Sequence, residues 1–364
     1  MIRITLNNMD KNQIRIIKTF TKSSILGFGE IFDLLKVGNT IETVSEVTIK
    51  RNLTKIVELG ILETIGAGRS LKYKLTAKGL LLYPIEEDAY MNISESERGG
   101  QTSFDFNLFD NLDFDIFSIE EMQTLDKATE KYNANAIDAG IALHKKELER
   151  FIIELAWKSS KIEGNTYSLL DTEFLLREGL RSEKNTESEA TMILNHKKAF
   201  DYIYQNRVEW RAVSLRLIEE VHSLLMNDLG VIRNIRKSPV GVTGTSYVPI
   251  DNEFQIKEAI DNLIKVINKR DNFFEKALLS IICISYIQPF EDGNKRTSRL
   301  IGNAILLAHD LAPLSYRDVD EVRYRAASLV FYEQNSIQAF KKIFIDQYIY
   351  SCGHYNIAPI PENK

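Results

Sequence analysis

The hydrophobic positions at the start of the chain predict three helices followed by a hairpin. Residues 11–22 and 29–36 have the apolar spacing of short helices, and residues 43–60 have the spacing of a third helix that ends at a glycine. In residues 61–75 two short alternating segments flank a Gly-Ala-Gly-Arg sequence, which is typical of a β-hairpin. The pattern therefore predicts a small α/β domain over residues 1–85.

The pattern changes twice more along the chain. Residues 86–116 are polar and acidic where they begin, with few periodic apolar positions, so we expect a linker. Helical periodicity then dominates residues 117–352, and a Gly-rich, β-branched stretch at residues 230–250 interrupts it and predicts a β-hairpin. The expected fold class is mainly α: a helical body with one β-hairpin, preceded by the small α/β domain.

The composition is that of a globular protein. The 364 residues are 44% hydrophobic and 27% charged, which suits two or three packed domains. The longest apolar run, Ala277–Ile287, is shorter than the roughly 18 residues of a membrane span and predicts a buried helix. The first residues lack a secretion signal, so we expect a cytoplasmic protein. Cys283 and Cys352 lack metal-ligand spacing, which argues against a zinc site or a disulfide scaffold.

Charge is distributed unevenly along the chain. Residues 1–85 contain 13 Lys/Arg and 7 Asp/Glu, a net charge of +6, whereas the whole chain has a net charge of −5. The predicted third helix has Lys50, Arg51 and Lys55 on the side opposite its apolar positions, and Arg69 lies in the predicted hairpin turn. A basic N-terminal domain therefore precedes an acidic body.

Three helices followed by a hairpin resemble the winged helix-turn-helix family, over about residues 10–82. The resemblance implies that the third helix enters the DNA major groove and that the hairpin contacts the DNA backbone, through Lys50, Arg51, Lys55 and Arg69. Winged helices also serve as protein-docking or dimerisation modules, and a charge of +6 is modest. DNA binding and protein contact therefore both remain open for this domain.

A candidate phosphate-binding loop follows the longest apolar run. Asp292 and Gly293 can form a sharp turn, and Gly293 and Asn294 place backbone N–H groups at the start of a new helix, where an anion is favoured. Arg296 and Arg299 are three residues apart and share one face of that helix. Two guanidinium groups beside such a turn can bind a polyphosphate, and Asp292 can hold Mg²⁺.

This segment resembles the signature of the Fic (filamentation induced by cAMP) family, His-x-Phe-x-Asp/Glu-Gly-Asn-Gly/Lys-Arg-x-x-Arg. The matching residues are Phe290, Asp292, Gly293, Asn294, Lys295, Arg296 and Arg299. The resemblance implies that these residues bind ATP with Mg²⁺, and that AMP is transferred to a hydroxyl group of a protein. The position of the family's catalytic His is Gln288, whose amide does not exchange protons near neutral pH. Some related toxins have Lys at the position of Lys295, which leaves phosphate transfer as another reading.

Two further segments extend the resemblance. Ser159, Glu163 and Gly164 fit the family's inhibitory motif, Ser/Thr-x-x-x-Glu-Gly/Asn, in which the Glu pairs with the second motif Arg. We therefore expect a carboxylate–guanidinium contact of about 3 Å between Glu163 and Arg299.

Residues 230–250 resemble the flap that aligns the main chain of a target protein. This resemblance implies target-binding roles for Gly241, Thr243, Gly244 and Tyr247.

Two functions follow from these motifs. The first is an autoinhibited, ATP-binding Fic-type adenylyltransferase in which the replacement of the His by Gln288 leaves transfer weak or absent. The second is a DNA-binding regulator with a nucleotide-sensing body. We expect His196 and His222 to be structural residues at the edge of the core rather than substitutes for the missing base. The target protein, the choice between monomer and homodimer, and whether Gln288 is natural are not decided by the sequence.

Overall fold

The computed structural model describes residues 10–20, 24–37, 45–138 and 141–357. The helices of the described residues are α1 (Lys11–Ile17), α2 (Phe28–Val37), α3 (Glu46–Glu58), α4 (Ala77–Leu81), α5 (Glu87–Met91), α6 (Ile119–Asp138), α7 (Ile141–Ile162), α8 (Leu169–Glu178), α9 (Glu187–Gln205), α10 (Leu215–Leu225), α11 (Glu253–Lys269), α12 (Phe273–Ile287), α13 (Asn294–Ala308), α14 (Glu321–Gln334) and α15 (Gln338–His354). The strands are β1 (Ile25–Gly27), β2 (Leu62–Ile65) and β3 (Lys72–Leu75). The protein is mainly α, as predicted.

The N-terminal unit contains the three predicted helices and the predicted hairpin. The side chain of Ser45 accepts a hydrogen bond from the backbone N–H of Thr48, which caps α3. Residues 43 and 44 of the predicted helix, and residues 21 and 22 of the first one, lie outside the described residues. β2 and β3 form the hairpin, and β1 adds a third antiparallel strand on the other side of β3 that the pattern did not predict.

The segment predicted as an acidic linker, residues 86–116, packs on the helical body in the structure. Its second half contributes buried apolar side chains to the core of the helical body: Phe104, Leu108, Phe109, Leu112 and Ile116. Arg270 of the body donates hydrogen bonds to the carbonyls of Leu112 and Phe114. These apolar residues have no helical or strand period, because each is placed by contacts with distant helices.

α12 and α13 form a helical hairpin at the centre of the body. α12 is buried from Phe274 to Ile287, as the long apolar run predicts. The two helices approach closely at Gly302, where an added Cβ would lie 2.5 Å from Ile281 Cγ1. None of the helices in the described ranges has the length and apolar content needed to cross a bilayer.

The predicted β-hairpin at residues 230–250 is absent. The structure describes the whole segment, which is irregular and forms an isolated bridge between Val248 and Ser103. The buried guanidinium of Arg236 donates to the carbonyls of Ser238 and Ile250. These two carbonyls therefore have a hydrogen-bond partner without a β-ladder.

Candidate active site

The candidate phosphate loop connects α12 and α13, so the predicted position between two helices is confirmed. Gln288 ends α12 in the left-handed region, with φ 52°. Gly293 begins α13 with φ 79°, and a Cβ there would lie 2.6 Å from Met226 Sδ. A side chain at Gly293 would therefore meet both backbone strain and a clash.

The side chain of Gln288 is buried, and its amide is engaged on both sides. Nε2 donates to the carbonyl of Ser285 at 2.6 Å, and Oε1 accepts from Asn294 Nδ2 at 2.9 Å. Asn294 also joins the two ends of the loop, since it bonds to both the N–H and the carbonyl of Phe290 at 2.8 Å. Gln288 therefore stabilises the loop and lacks a group that accepts a proton.

Two side chains from other elements hold the backbone of the loop. Arg236 Nε donates to the carbonyl of Gln288 at 2.7 Å, and the backbone N–H of Arg236 donates to the carbonyl of Pro289 at 3.0 Å. His222 Nε2 lies 3.0 Å from the carbonyl of Asp292, and its ring stacks on Phe290. His222 is buried, as expected for a structural histidine. Arg236 was not predicted, because no local motif marks it.

Arg296 has unused hydrogen-bond donors. Its side chain is 2% exposed, and Nη2 donates to Asp292 Oδ2 at 3.1 Å. Nε and Nη1 are buried and have no hydrogen-bond partner in the described part of the chain. Buried guanidinium donors without partners are costly, and a phosphate group would satisfy them.

The carboxylate of Asp292 suits one Mg²⁺ ion better than a metal cage. Its side chain is 65% exposed, with Oδ1 accepting from the N–H of Gly293 at 2.6 Å. The described ranges contain no cluster of three or more His, Cys, Asp or Glu residues that could hold a metal. Mg²⁺ is commonly held by one or two carboxylates together with substrate phosphates and water, which fits a single acidic residue beside Arg296.

Arg299 is fully buried and bound by α7. Its Nε and Nη2 donate to the Oγ and the carbonyl of Ser159 at 2.9 and 2.7 Å, and Nη1 donates to Glu163 Oε1 at 2.8 Å. The predicted contact between Glu163 and Arg299 is therefore confirmed. Burial raises the pKa of Glu163, but Arg299 and Lys295 outweigh it and hold that pKa below its usual value. Glu163 is ionised at neutral pH, and Lys295 Nζ lies 3.9 Å from its Oε2.

The end of α7 has a second attachment, which the sequence reasoning also missed. Glu321, the first residue of α14, lies 2.5 Å from Lys158 Nζ and 3.7 Å from Lys161 Nζ. Gly164 follows the helix with φ 95°, a conformation that suits glycine. The three residues of the predicted inhibitory motif thus lie in a segment held to both α13 and α14.

His196 is buried near the two arginines. Both of its ring nitrogens lack a hydrogen-bond partner in the parts of the chain that are described. Burial lowers the pKa of His196 to about 3, and the positive charges of Arg299 and Arg296 add to this effect. The imidazole is therefore neutral at pH 7 and structural, as expected.

The structure separates the four predicted flap residues. Gly241, Thr243 and Gly244 are exposed. Tyr247 is buried, stacks on Tyr286 and donates its hydroxyl to the carbonyl of Tyr286 at 2.8 Å. Its side chain belongs to the core, and its role in binding a target stays a prediction.

The four predicted DNA-binding residues are exposed on the N-terminal unit. Lys50, Arg51 and Lys55 lie on α3, and Arg69 lies in the turn between β2 and β3. Lys50 Nζ is 3.5 Å from Glu46 on the same helix, and both side chains are exposed. The other three cations form no ion pair within 4 Å in the described residues.

Comparison with known proteins finds similarity to Fic proteins. A model of the Fic/DOC family matches residues 212–306, a range that starts after α7. The protein adenylyltransferase Fic of Nematostella vectensis is 27% identical over 209 residues, 56% of this chain and 49% of that protein. The protein of the same name from Aedes aegypti is 28% identical over 184 residues, 49% of this chain and 36% of that protein. The chain thus spans about half or less of the length of these relatives.

Solved structures share the fold. A Fic domain containing signaling protein from Bacteroides thetaiotaomicron has a TM-score of 0.53 at 20% identity, over 63% of this chain and 94% of that chain. Fic-1 from C. elegans has a TM-score of 0.54 at 18% identity, over 65% of this chain and 72% of that chain. Residues 212–306 therefore match the Fic/DOC family model, and about two thirds of the chain shares the fold of Fic proteins of known structure.

Proposed function

We propose that this protein is a Fic-type protein adenylyltransferase that binds ATP at the loop between α12 and α13 and is held inactive by α7. The main observation is the contrast between two buried arginines. Arg299 is saturated by Ser159 and Glu163, whereas Arg296 keeps two donors without partners in the described residues. Half of a phosphate site is therefore open, and the other half is filled by the protein itself.

The nucleotide would be held mainly by groups of α13. Arg296 supplies two unpaired donors, Gly293 and Asn294 supply the start of the helix, and Lys295 adds a positive charge that is 25% exposed. Asp292 would hold Mg²⁺. The metal would neutralise charge that develops on the phosphates during transfer.

Autoinhibition follows from competition for one guanidinium. Arg299 has all three of its nitrogens bonded to α7, so a phosphate can reach it only if Glu163 leaves. The carboxylate is partly exposed, at 20%, so its removal does not open the core. We infer that α7 lowers the affinity for ATP and keeps the phosphates from a productive position.

The transfer step lacks a proton acceptor in the expected place. When the target hydroxyl oxygen bonds to the α-phosphorus, the bond to the pyrophosphate oxygen breaks and the hydroxyl proton must be taken up. The amide of Gln288 cannot accept this proton. Loss of a general base typically reduces the rate by about 10² to 10⁴, so we expect slow transfer even after Glu163 is removed.

A four-variant comparison tests this function: the unaltered chain, Glu163→Gly, Gln288→His and the double change. Glu163→Gly should strengthen ATP binding while labelling stays low, and Gln288→His alone should change little. The double variant should label proteins far more than the two single effects predict, because base and nucleotide position are both needed. Transfer of label from α-labelled ATP and calorimetric ATP binding are the two measurements.

Glu173→Gly is a suitable control for the Glu163 change, since Glu173 is a partly exposed residue of α8 that also pairs with an arginine. It should alter neither ATP binding nor labelling. Absence of labelling by the double variant, with ATP still bound, would replace this function by nucleotide sensing. Strong labelling by the unaltered chain would show that neither Gln288 nor Glu163 restrains transfer.

The second candidate is a cytoplasmic DNA-binding regulator, in which the Fic-like body senses a nucleotide. It is supported by the exposed cations on α3 and in the β2–β3 turn, the two positions that a winged helix uses on DNA.

In either function we place a target chain along Gly241, Thr243 and Gly244. These residues are exposed in the segment that Arg236 attaches to the phosphate loop. A homodimer remains compatible with both.

A further inference from the structure

Part of the expected linker lies against the proposed target-docking segment. The backbone N–H of Val248 donates to the carbonyl of Thr102 at 3.0 Å, and Ser103 and Val248 form a parallel bridge. Arg98 Nη2 donates to the carbonyl of Gly244 at 3.0 Å. Residues 98–105, called the cover below, therefore occupy two backbone groups of this segment.

The first end of the cover is attached to α14. Arg98 Nη1 lies 3.1 Å from Glu333 Oε1, with both side chains at most 5% exposed. The N–H of Gln101 donates to the carbonyl of Glu333 at 2.6 Å. Gly100 packs so closely that a Cβ there would lie 2.6 Å from Glu333 Cβ. A side chain at Gly100 would push the cover away from α14.

The second end of the cover is attached to α12. Phe104 is buried and stacks on Tyr286 with ring centroids 4.8 Å apart, and the N–H of Asp105 donates to the Tyr286 hydroxyl at 3.0 Å. Tyr286 is two residues before Gln288, so this attachment leads to the phosphate loop. Between the two attachments, Thr102 and Ser103 are exposed.

We propose that the cover is an internal substitute for the target chain, and that an extended, hydroxyl-bearing segment of a target protein must displace it. The proposal rests on the proposed function, since it concerns the same docking segment. The cover pairs through its backbone and exposes two hydroxyl side chains, which is how such a target would lie. The contact at residues 102 and 103 that a target must replace is one exposed backbone hydrogen bond, which contributes only about 0.5–1.5 kcal/mol. The buried attachments at Glu333 and Tyr286 hold the two ends of the cover. Attachment within one chain gives the cover a millimolar effective concentration.

A free peptide with the sequence of residues 98–106 tests the cover. Gly100→Ala should lift the tethered copy, while the labelled peptide retains its glycine and still fits. We expect the peptide to bind Gly100→Ala about tenfold more tightly than the unaltered chain, by fluorescence anisotropy. Gly353→Ala is the matched control, since a Cβ at Gly353 meets nothing within 4 Å.

A reversible disulfide should instead hold the cover closed on the docking segment. Ser103→Cys with Val248→Cys joins the two partners of the isolated bridge. Paired strands lie about 4.8 Å apart, which is within the Cα separations that a disulfide spans. The oxidised form should not bind the peptide, and reduction should restore binding. Glu63→Cys with Lys74→Cys, a register pair of β2 and β3, supplies a control disulfide away from the site. Peptide affinity for this control should not depend on oxidation.

Equal peptide affinity for the oxidised and the reduced cross-link variant would overturn the proposal. This test does not depend on Gly100→Ala, so it still decides the question if that variant does not fold. Failure of the peptide to bind folded Gly100→Ala would overturn it as well. ATP binding, measured on the same proteins, should be unchanged by the cross-link. Loss of ATP binding throughout would count against the proposed function, whereas the peptide result would still decide the role of the cover.

Discussion

At the residue scale, Arg296 and His196 are two buried side chains near the phosphate loop. Both have nitrogens without a hydrogen-bond partner in the described residues, for different reasons. Arg296 has unpaired donors that a phosphate would satisfy, so its cost to the free protein is recovered when a ligand binds. His196 has unpaired ring nitrogens and a pKa lowered to about 3, chiefly by burial and further by Arg299 and Arg296. A positive charge at His196 would oppose both arginines, so this imidazole is compatible with the site only when neutral.

The first prediction at this scale concerns stability below neutral pH. The unfolded chain protonates His196 near pH 6.5 and the folded chain near pH 3, so stability is lost as the pH falls between these values. The contribution is at most about 1.4 kcal/mol per pH unit. His196→Phe should therefore lose less stability than the unaltered protein between about pH 7 and pH 4.5. Urea unfolding at several pH values measures the difference.

His354→Phe controls for a change of histidine content, because His354 is exposed at the end of α15. Its stability should follow the same pH dependence as that of the unaltered protein. If His196→Phe leaves the slope of unfolding free energy against pH unchanged, His196 takes up a proton as readily in the folded chain as in the unfolded one. Burial and the two arginines would then not lower its pKa.

At the element scale, the position of α7 decides whether Arg299 is available. The end of α7 contacts Arg299 on α13 and Glu321 on α14, and these two side chains differ in solvent exposure. Arg299 is fully buried, whereas Glu321 at the start of α14 is 34% exposed. In the proposed function the Arg299 contact acts directly on the phosphate site, and the Glu321 contact acts only through the placement of α7. The proposal therefore makes Glu321 a positioning residue rather than a catalytic one.

Glu321→Gln should weaken the attachment of α7 without touching the phosphate loop. A partly exposed ion pair contributes about 0.5–1 kcal/mol, so we expect ATP affinity to rise by about threefold, less than for Glu163→Gly. Calorimetry measures the affinity. Glu173→Gln breaks a comparable ion pair with Arg177 on α8 and should have no effect. If Glu321→Gln and Glu173→Gln behave alike, the attachment to α14 does not control α7.

At the scale of the whole molecule, the N-terminal unit and the helical body are connected by packed structure. The small core of the N-terminal unit and the large core of the body both contact Phe114, and the N–H of Ile337 donates to the carbonyl of Leu81. The two units are therefore joined by packed contacts as well as by the chain itself. This arrangement suits the regulator as well as the transferase.

The prediction at this scale is that the full chain binds duplex DNA through α3 and the β2–β3 turn. Each phosphate contact contributes about −0.9 to the slope of log affinity against log salt concentration. Replacing Lys50, Arg51, Lys55 and Arg69 by Ala should therefore reduce the slope by up to about 3 to 4, as measured by anisotropy over a salt series. The control replaces four exposed lysines of the body: Lys131, Lys146, Lys184 and Lys237. Equal slopes for the two quadruple variants would favour protein docking.

The sequence determined the elements and residues whose contacts are local. The phosphate loop is a contiguous motif between two helices, so the positions of Gln288, Gly293 and Arg296 follow from their order in the chain. The pairing of Glu163 with Arg299 joins distant residues, and it was predictable only because the family resemblance supplied the contact. The long apolar run of α12 likewise predicted a buried helix.

The tertiary structure decided the rest, because the forces involved act between residues far apart in sequence. Arg236 donates to the carbonyls of Ser238 and Ile250, in a β-branched stretch that is irregular. Phe104 has no periodic neighbours, but Tyr286 lies 182 positions later and buries it, so a polar segment becomes the cover. Local periodicity reports which face of an element is apolar. It does not report which distant carbonyl, carboxylate or ring will contact a given side chain. Those distant contacts determine the conformation of residues 230–250 and of the cover.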